Sequence, residues 1–349
     1  MTWTIRPISK LAECSEDWQL LNQATTDTPL LDFRFVRDAV SEFTTGTELV
    51  ASYNDRGEPS AIGIFTRVNP FCWQTLQPPN APIGLWICKP ANNIEAVLGD
   101  LAPSLSPHYA MLSVTQQDPE ILPRPEPSRH LATLDYISTP SMTVSGPFSV
   151  YLQSRSKNFR HNVNRQRNRL ERENIKTHLE FLTSSADMER AISEYSQLEC
   201  ASWKGRIDSA VKMDEPQGRF YVKLLRSFAE LGESLVYRYF FNDRLVASDL
   251  CLRRNDTLII LKTACDETQQ GLSPAHLMRL DAFAELIDKE NIRRVEFYGP
   301  LKEWHTRLTD DRRQMYHINY YRWPVLKFFH EFRTDPHGDV SAESAGLKR

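Results

Sequence analysis

Residues 257–300 combine the residue types that suit binding of a phosphorylated ligand. Residues 257–264 form an apolar and β-branched run of strand length, and residues 266–271 form a polar stretch that ends in glycine, as turns often do. Ser273 fits the N-cap of a following helix, and Pro274 fits its first position, where no backbone N–H is needed. The start of a helix presents free N–H groups and the positive end of the helix dipole, so the segment predicts a phosphate site.

A helix and a second strand complete this unit. Apolar residues recur at helical spacing after the proline and predict a helix with one buried face: Leu277, Leu280, Ala284 and Ile287. Residues 294–298 then return as a strand. The sequence therefore predicts a strand–helix–strand unit, and ligands of such units tend to lie at the strand ends.

A strongly basic segment precedes this unit. Its basic residues outnumber its acidic ones, which are only Glu171 and Glu173. The basic residues are Arg155, Lys157, Arg160, Arg165, Arg167, Arg169, Arg172 and Lys176. Phe159, Val163 and Leu170 fall on one helical face, so we expect a cationic amphipathic helix. Two interpretations stay open, a solvated charged face and a face that binds phosphates or an acidic polymer. Nucleic acid ranks third, because no aromatic residues alternate with the arginines.

Composition and motifs narrow the classes further. The chain has 349 residues, a formal net charge of −3 and 41% hydrophobic residues, which fits a globular protein with room for two cores. Its six cysteines include no C-x-x-C pair, so reduced thiols are expected. The N-terminus has no apolar signal segment, and no apolar run reaches the length of a membrane span. We therefore expect a soluble cytoplasmic protein.

Several well-known site motifs do not occur in the sequence. It has no G-x-x-x-x-G-K-[ST] phosphate loop and no G-x-G-x-x-G dinucleotide fingerprint. It has no H-E-x-x-H pattern or His/Cys cluster, and no G-x-S-x-G nucleophile elbow. No metal site is predicted.

The remaining segments predict two α+β halves. In the first half, Phe33, Val36, Val40 and Phe43 mark a helix, and the predicted strands are 48–53, 61–68, 83–88, 110–114 and 131–137. Residues 140–147, rich in Ser, Thr and Pro, are the preferred domain boundary. The second half predicts helices at 186–200 and 218–231, and strands at 179–182, 234–241, 244–253 and 315–323. The tail after Pro336 is expected to be poorly ordered.

Four segments in this order resemble the acyl-CoA N-acyltransferase (GNAT) superfamily. They are SRSKNFRHNVNRQRNRLE at 154–171, SWKGRIDSAV at 202–211, QQGLSPAHLMRLDAF at 269–283 and VEFYGPLKEWHTRL at 295–308. The similarity is greatest to CelD-type acetyltransferases of cellulose biosynthesis, which resemble the tandem-domain FemABX transferases. The resemblance implies an α+β fold of two tandem GNAT-like domains, each a mixed, mostly antiparallel sheet flanked by helices. Their expected bounds are 1–145 and 146–335, with a flexible tail at 336–349.

The function implied by this resemblance is acyl transfer from acetyl-CoA, or another acyl-CoA, to an amine or hydroxyl. The acceptor would be a small molecule or a sugar, in polysaccharide or cell-envelope metabolism. Two alternatives stay open: a FemABX-like transferase that uses aminoacyl-tRNA, and a non-catalytic binding protein that retains the fold. The sequence does not indicate an oligomeric state.

The resemblance also implies where the cofactor binds. Leu261–Thr263 would pair with the pantetheine arm of CoA, and Gln270–Ala275 would hold its pyrophosphate. The predicted cofactor residues are Leu261, Thr263, Gln270, Gly271, Leu272, Ser273, Ala275 and His276. His276 could contact a phosphate, but its position in the first turn of the helix favours an exposed helix residue. The chain departs from the usual Q/R-x-x-G-x-G/A turn, because it has one glycine there and Pro274 removes a donor N–H.

Acyl transfer requires a deprotonated nucleophile, a polarised carbonyl and a proton for the leaving thiolate. Asp249 and Glu303 are the candidate bases, with an ion-pair partner or a surface carboxylate as the alternative role. Tyr298 is the candidate proton donor, although a core tyrosine is equally compatible with the pattern. The candidate acceptor-binding residues are Trp203 and Lys204, together with Arg160 and Arg165 of the basic segment.

Overall fold

The computed structural model describes residues 2–79, 81–207 and 209–328. Thirteen strands in these ranges form one continuous sheet. The strands are β1 Trp3–Pro7, β2 Leu49–Asp55, β3 Glu58–Asn69, β4 Cys72–Thr75, β5 Trp86–Cys88, β6 Met111–Gln117, β7 Leu131–Thr143, β8 Thr177–Leu182, β9 Ser234–Phe241, β10 Arg244–Arg254, β11 Thr257–Cys265, β12 Arg294–Glu296 and β13 Arg312–Tyr321. Their spatial order is β1-β2-β3-β4-β6-β13-β7-β12-β11-β10-β9-β8, and β5 pairs with β3 beside this path.

Ten α-helices in the same ranges cover both faces of the sheet. They are α1 Ser15–Thr25, α2 Phe33–Phe43, α3 Ile94–Leu105, α4 Phe148–Ser154, α5 Lys157–Arg172, α6 Met188–Cys200, α7 Trp203–Arg206, α8 Pro216–Ala229, α9 Pro274–Lys289 and α10 Glu303–Leu308. Helices α1 and α2 share one apolar core with α6 and α8 of the second half. Helices α4, α5 and α9 pack on the opposite face, and α3 packs on the first half. The two halves therefore share a helical layer as well as a sheet.

The contact between the halves combines aromatic rings with buried charge. The rings of Phe35 and Phe220 meet edge to face, with centroids 5.5 Å apart. Arg254 of β10 is 9% exposed and donates to Asp32, which is fully buried at the start of α2, over 2.7 Å. Arg254 also pairs with Asp27 and Glu233. One guanidinium thus connects carboxylates from both halves.

The last strand crosses from the second half into the first. β13 lies between β6 and β7 and pairs antiparallel with both. β13 lies within the predicted second domain, 146–335, and pairs with strands of the predicted first domain, 1–145, and this division stays a prediction. The predicted boundary at 140–147 also begins inside β7, whose end at residues 141–143 pairs with β12. The predicted tail at 336–349 lies outside the described residues.

Most locally patterned elements match their predictions. The helix marked by Phe33 and Phe43 is α2, and the hairpin at 234–253 is β9 and β10. The basic helix is α5, with Phe159, Val163 and Leu170 all buried. The polar turn differs, because it forms a short 3-10 helix, Glu267–Leu272. The prediction of a mixed α+β fold is confirmed.

Candidate functional site

A gap opens in the sheet where β12 ends. The parallel pairing of β11 with β12 extends only from Thr257 to Ile259. β11 continues to Cys265, so residues 260–265 have no strand beside them on that edge in the described part of the chain. On the other edge, Leu250 pairs with Lys262 and Cys251 pairs with Ile260, which makes Leu261 the extra residue of a β-bulge. Bulges of this kind often lie next to active sites, where they redirect side chains.

A cleft of about 430 Å³ lies at this gap, and we call it the β11–β12 cleft. The second half supplies Ile260, Leu261 and residues 297–300, and the first half supplies Gln77, Pro78, Pro79, Ala81, Pro82, Gln116, Tyr136 and Ile137. Two of these residues, Gln116 and Tyr298, have left-handed backbones with φ of 48° and 45°. Such strain in non-glycine residues concentrates at functional sites.

Tyr298 is held by a buried ionic network. Its hydroxyl group donates to Asp118 Oδ2 over 3.0 Å. Asp118 also accepts from Arg313 of β13, and Arg313 pairs with Glu296, the last residue of β12. Burial, together with the nearby Asp118 carboxylate, raises the pKa of Tyr298 well above its usual value. The predicted proton donor is therefore engaged with a carboxylate.

Asp249 lies in β10, opposite Thr263 of β11, and is fully buried. Its carboxylate accepts from Arg279 of α9, with Nε to Oδ2 at 3.1 Å, and Arg279 also donates to the Thr263 hydroxyl group over 2.6 Å. Burial raises the pKa of Asp249, and Arg279 opposes that shift. The guanidinium in turn lies 4.4 Å from the ring centre of Trp304. Asp249 and Thr263 both contact Arg279, and their predicted roles, as base and as a contact of the pantetheine arm, stay predictions.

Glu303, the second candidate base, lies at the start of α10. Its side chain is 83% exposed and pairs with Arg307 over 2.6 Å. It is not among the residues that line the β11–β12 cleft. The structure therefore does not bring the three predicted catalytic residues together at one point.

The predicted phosphate turn is in place ahead of α9, but its details differ. Ser273 is the N-cap residue, with a left-handed backbone and no side-chain capping bond; its hydroxyl group accepts from Gln166 of α5 over 2.7 Å. Arg169 of α5 approaches the Gly271 carbonyl oxygen at 3.4 Å. Gln270 and Gly271 are exposed, whereas Leu272 is buried. The basic helix thus packs against the turn, a contact that the sequence did not indicate.

Burial keeps two histidines near α9, His276 and His305, in their neutral form. Burial lowers the pKa of His276 to about 4, with Arg279 and Arg307 adding to the shift. Burial and Arg279 lower the pKa of His305 to about 4 in the same way. His276 packs edge to face on Phe159, so the expectation of an exposed helix residue is wrong.

A cluster of charged side chains that the sequence pattern did not indicate as a group lies beside β11. Glu199 of α6 is fully buried, and its Oε1 accepts from Lys204 Nζ over 2.6 Å. Lys204 also donates to the Thr263 carbonyl oxygen over 3.0 Å, and Lys262 lies on the other side of Glu199. A lysine within the otherwise apolar strand of 257–264 was the signal available in the sequence. Trp203, next to Lys204, is half exposed.

The outer face of α5 is cationic. Arg160 and Arg165, both predicted to bind substrate, are exposed there with Lys157 and Arg172. None of these four side chains has an ion-pair partner among the described residues, whereas Arg167 and Arg169 pair with Asp281 and Glu173. They lie on the helix that contacts the turn, and not in the β11–β12 cleft.

Other cavities are present in the described residues, and two of them lie near α5 and the turn. One of about 450 Å³ lies between α5 and β8, and Arg167 and Asp281, which line it, pair with each other. A larger one of about 720 Å³ lies at the start of the turn, where Arg244 pairs with Asp266. Neither includes the unpaired edge of β11, so the β11–β12 cleft remains the candidate site.

Part of this chain matches a known family model, and its fold is similar to several solved structures. Residues 157–306 match the family model described as an acetyltransferase (GNAT) domain. The solved structure of FemX is similar over 95% of this chain and 100% of FemX, at 10% identity and a TM-score of 0.57. The C-terminal domain of a putative lysylphosphatidylglycerol synthetase from Agrobacterium fabrum is similar over 88% of this chain and 92% of that domain, at 8% identity and a TM-score of 0.55.

A protein of unknown function from Bacteroides thetaiotaomicron VPI-5482 is similar over 92% of this chain and 100% of its own, at 12% identity and a TM-score of 0.57. No curated protein matches the sequence. The family model covers residues 157–306, and the similarity to FemX confirms the expected tandem GNAT-like fold. The assignment to CelD-type acetyltransferases stays a prediction.

Residues 2–79, 81–207 and 209–328 contain neither a metal-binding cluster nor a membrane-spanning helix. No group of three or more His, Cys, Asp or Glu side chains in those ranges is arranged to hold a metal ion. No helix in the same ranges has both the length and the apolar character required to span a bilayer.

Proposed function

We propose that this protein transfers an acyl group from acetyl-CoA, or another acyl-CoA, to an amine or hydroxyl group. The observation that carries the proposal is the unpaired edge of β11, which borders the β11–β12 cleft and leads directly into the turn before α9. An extended arm with amide groups, such as pantetheine, can pair with a free strand edge as an added strand does. The pyrophosphate would then lie by the start of α9, where the helix dipole favours negative charge.

The chemistry would rest chiefly on positioning. A thioester is already reactive, and holding it against an acceptor can contribute several powers of ten in rate. A backbone N–H group at the Leu261 bulge is suited to polarise the thioester carbonyl. The acceptor would reach the carbonyl from the side of the first half, whose residues line the cleft. By resemblance to the CelD-type family, we place the reaction in cytoplasmic polysaccharide or cell-envelope metabolism.

Calorimetric titration with acetyl-CoA tests this proposal. The control is a variant that carries a negative charge where the pyrophosphate is expected. Gly271→Asp does not suit this purpose, because a Cβ at Gly271 would lie 3.5 Å from Arg169 Nη1 and the new carboxylate would pair with that guanidinium. Ala275, in the first turn of α9, is better, since an aspartate there favours the helix while repelling a phosphate. We expect micromolar binding by the wild type and by Ala275→Asn, and a loss of about tenfold or more in Ala275→Asp. A folded protein that does not bind acetyl-CoA would refute the proposal.

The cationic face of α5 supports a second candidate, aminoacyl transfer from tRNA. Four cations on one helix face, without ion-pair partners among the described residues, suit a phosphate backbone, whose contacts make binding salt-dependent. The variant with Arg160, Arg165 and Arg172 all changed to glutamate should lose retention of aminoacyl-tRNA in a gel-shift assay. The matched control changes Arg37, Arg190 and Arg226, which lie elsewhere in ion pairs. Equal retention by both variants would dismiss this candidate, and binding of acetyl-CoA without turnover would indicate a protein that only binds.

A further inference from the structure

The strands on both sides of β13 carry a bulge at the β11–β12 cleft. In β6, Thr115 and Gln116 together face a single residue of β13. In β7, Tyr136 and Ile137 do the same. Gln116, Tyr136 and Ile137 all line the cleft. Because bulges redirect side chains next to active sites, the insertion of β13 shapes the first-half wall of the cleft.

His317 of β13 lies between the two bulges. Its Nδ1 accepts from the Gln116 backbone N–H over 2.9 Å, and its ring centre lies 4.9 Å from that of Tyr136. Burial lowers the pKa of His317, so the ring is neutral and Nδ1 is free to accept. This hydrogen bond supports the left-handed backbone of Gln116, a conformation that costs free energy in a residue other than glycine.

The bulge of β6 also secures the proline-rich segment 77–82, of which residue 80 lies outside the described residues. The Thr115 hydroxyl group donates to Gln77 Oε1 over 3.3 Å. Gln77 Nε2 donates to the Ala81 carbonyl oxygen over 2.7 Å, so both ends of this amide have a partner. The three prolines of the segment line the cleft and have no N–H group to offer a ligand.

The Gln116 side chain is different, because it is available to a ligand. The hydrogen bonds that Gln116 makes to described residues use its backbone, as donor to His317 and as acceptor from the Gly84 N–H. The half-buried side chain keeps its two donors and its acceptor oxygen. It can therefore bind a group that both donates and accepts, such as a hydroxyl group.

The cleft carries no formal charge on its described lining. None of those residues has a carboxylate, ammonium or guanidinium group. Burial raises the pKa of Tyr136 and of Tyr298, so both hydroxyl groups stay neutral near pH 7. The Asp118 carboxylate next to Tyr298 already pairs with Arg313. An ammonium group in the cleft would therefore lose its water without gaining a counter-charge, which is costly.

We propose that Gln116 is a specificity-determining residue of the acceptor subsite, and that the acceptor is an uncharged molecule with hydroxyl groups, a sugar or a polyol. This inference rests on the proposed function. The Gln116 amide binds one hydroxyl group, and the prolines and the Tyr136 ring contact the C–H surface of the acceptor. Small-molecule sites commonly have this composition, a mainly apolar wall with a few polar groups that fix orientation.

The subsite faces the place proposed for the thioester. Ile137 of the β7 bulge and Leu261 of the β11 bulge line the same cleft and pack against the same core. In the transfer, a hydroxyl oxygen of the acceptor bonds to the thioester carbonyl carbon, the C–S bond breaks, and sulfur takes the bonding pair. The proton of that hydroxyl group passes through water to the thiolate, so no further reactant is needed.

Release of the CoA thiol from acetyl-CoA at pH 7, with glycerol or serinol as the acceptor, tests the inference. Serinol is glycerol with an ammonium group in place of the central hydroxyl group, so the pair isolates the effect of charge. In the wild type we expect glycerol to accelerate thiol release over the rate without an acceptor. Serinol should be less effective by about tenfold or more, because its charge is not compensated in the cleft.

Two variants of Gln116 make the test specific. Gln116→Met keeps the length of the side chain and should raise the KM for glycerol by about fivefold, with the affinity for acetyl-CoA unchanged. Gln116→Glu adds a carboxylate and should shift the ratio of kcat/KM toward serinol by about tenfold or more. Gln23→Glu, at an exposed position of α1, adds the same charge outside the cleft and should leave the ratio as in the wild type.

The outcomes separate this inference from the proposed function. If acetyl-CoA does not bind in calorimetry, the proposed function fails and the inference fails with it. If acetyl-CoA binds, the inference alone is overturned when glycerol does not accelerate thiol release, when the wild type uses serinol as well as glycerol, or when folded Gln116→Glu keeps the wild-type ratio. Should Gln116→Glu not fold, an unchanged KM for glycerol in Gln116→Met overturns the inference, and a raised KM supports it.

Discussion

Arg279 of α9 and Asp249 of β10 form a fully buried ion pair, with Nε and Oδ2 3.1 Å apart. The same guanidinium donates to the Thr263 hydroxyl group and packs on the ring of Trp304. It therefore joins the strand that borders the cleft to the helix that follows the turn. Neither residue of the pair is among those that line the β11–β12 cleft.

Asp249→Asn should therefore lower stability. The change leaves Arg279 buried without a counter-charge, and breaking such a pair costs about 3–5 kcal/mol. Urea unfolding followed by circular dichroism measures the difference. Glu303→Gln is the matched control, because that carboxylate is exposed and its removal should leave the unfolding midpoint unchanged. If Asp249→Asn instead removed turnover at unchanged stability, the predicted role as base would be supported.

Arg254→Leu should weaken the contact between the halves. Asp32 is fully buried and would keep only the partly exposed Arg34, at 3.3 Å, as an ion partner, so we expect a loss of about 3 kcal/mol. The neighbouring Arg253 pairs with Glu290 at a more exposed position, and Arg253→Leu should cost about 1 kcal/mol or less. Equal losses in the two variants, measured by urea unfolding, would contradict the role of Arg254.

Tyr298→Phe should lower stability by about 1 kcal/mol, because it removes one hydrogen bond to Asp118 while Arg313 remains. The affinity for acetyl-CoA should change by less than about twofold, since the lost hydroxyl group points to Asp118. Tyr136→Phe alters an exposed tyrosine of the same cleft and serves as the control. A large loss of affinity in Tyr298→Phe alone would show that the hydroxyl group contacts the ligand.

Stability should fall as the pH drops from about 6.5 to about 4. His276 and His305 have pKa values near 4 in the folded protein, against an ordinary value of 6.5. Between these values the unfolded chain binds protons that the folded protein does not, so acid favours unfolding. The slope is at most ~1.4 kcal/mol per pH unit for each histidine.

His276→Gln should flatten this part of the curve of unfolding free energy against pH. His108→Gln, at an exposed position of the first half, should not. A curve that is flat over this interval in the wild type would show that both histidines charge normally in the folded protein.

The sequence predicted the unit around the site because each part has a local pattern. The strand at 257–264, Ser273 as N-cap and Pro274 at the first helical position all follow from residue type and spacing. Arg279 and Glu199 escaped notice because they lie on apolar helix faces, where a charge is informative only once its partner is known. Those partners come from distant elements, and local periodicity does not identify them.

The position of β13 was unpredictable for a related reason. Its alternating apolar residues indicate a strand but not the strands beside it. Its partners in β6 and β7 lie in the other half of the chain, where Ser113 donates to Asn319 over 2.7 Å. Pairing over such a separation depends on the whole fold.

The insertion of β13 also sets an order of events during synthesis. While the chain is being made, β6 and β7 each have one edge that only residues 312–321 can cover. Exposed edges of this kind template pairing with other chains. The N-terminal half should therefore mature only after nearly the whole polypeptide has been translated, and a product that stops before residue 312 should aggregate instead of accumulating as a folded domain.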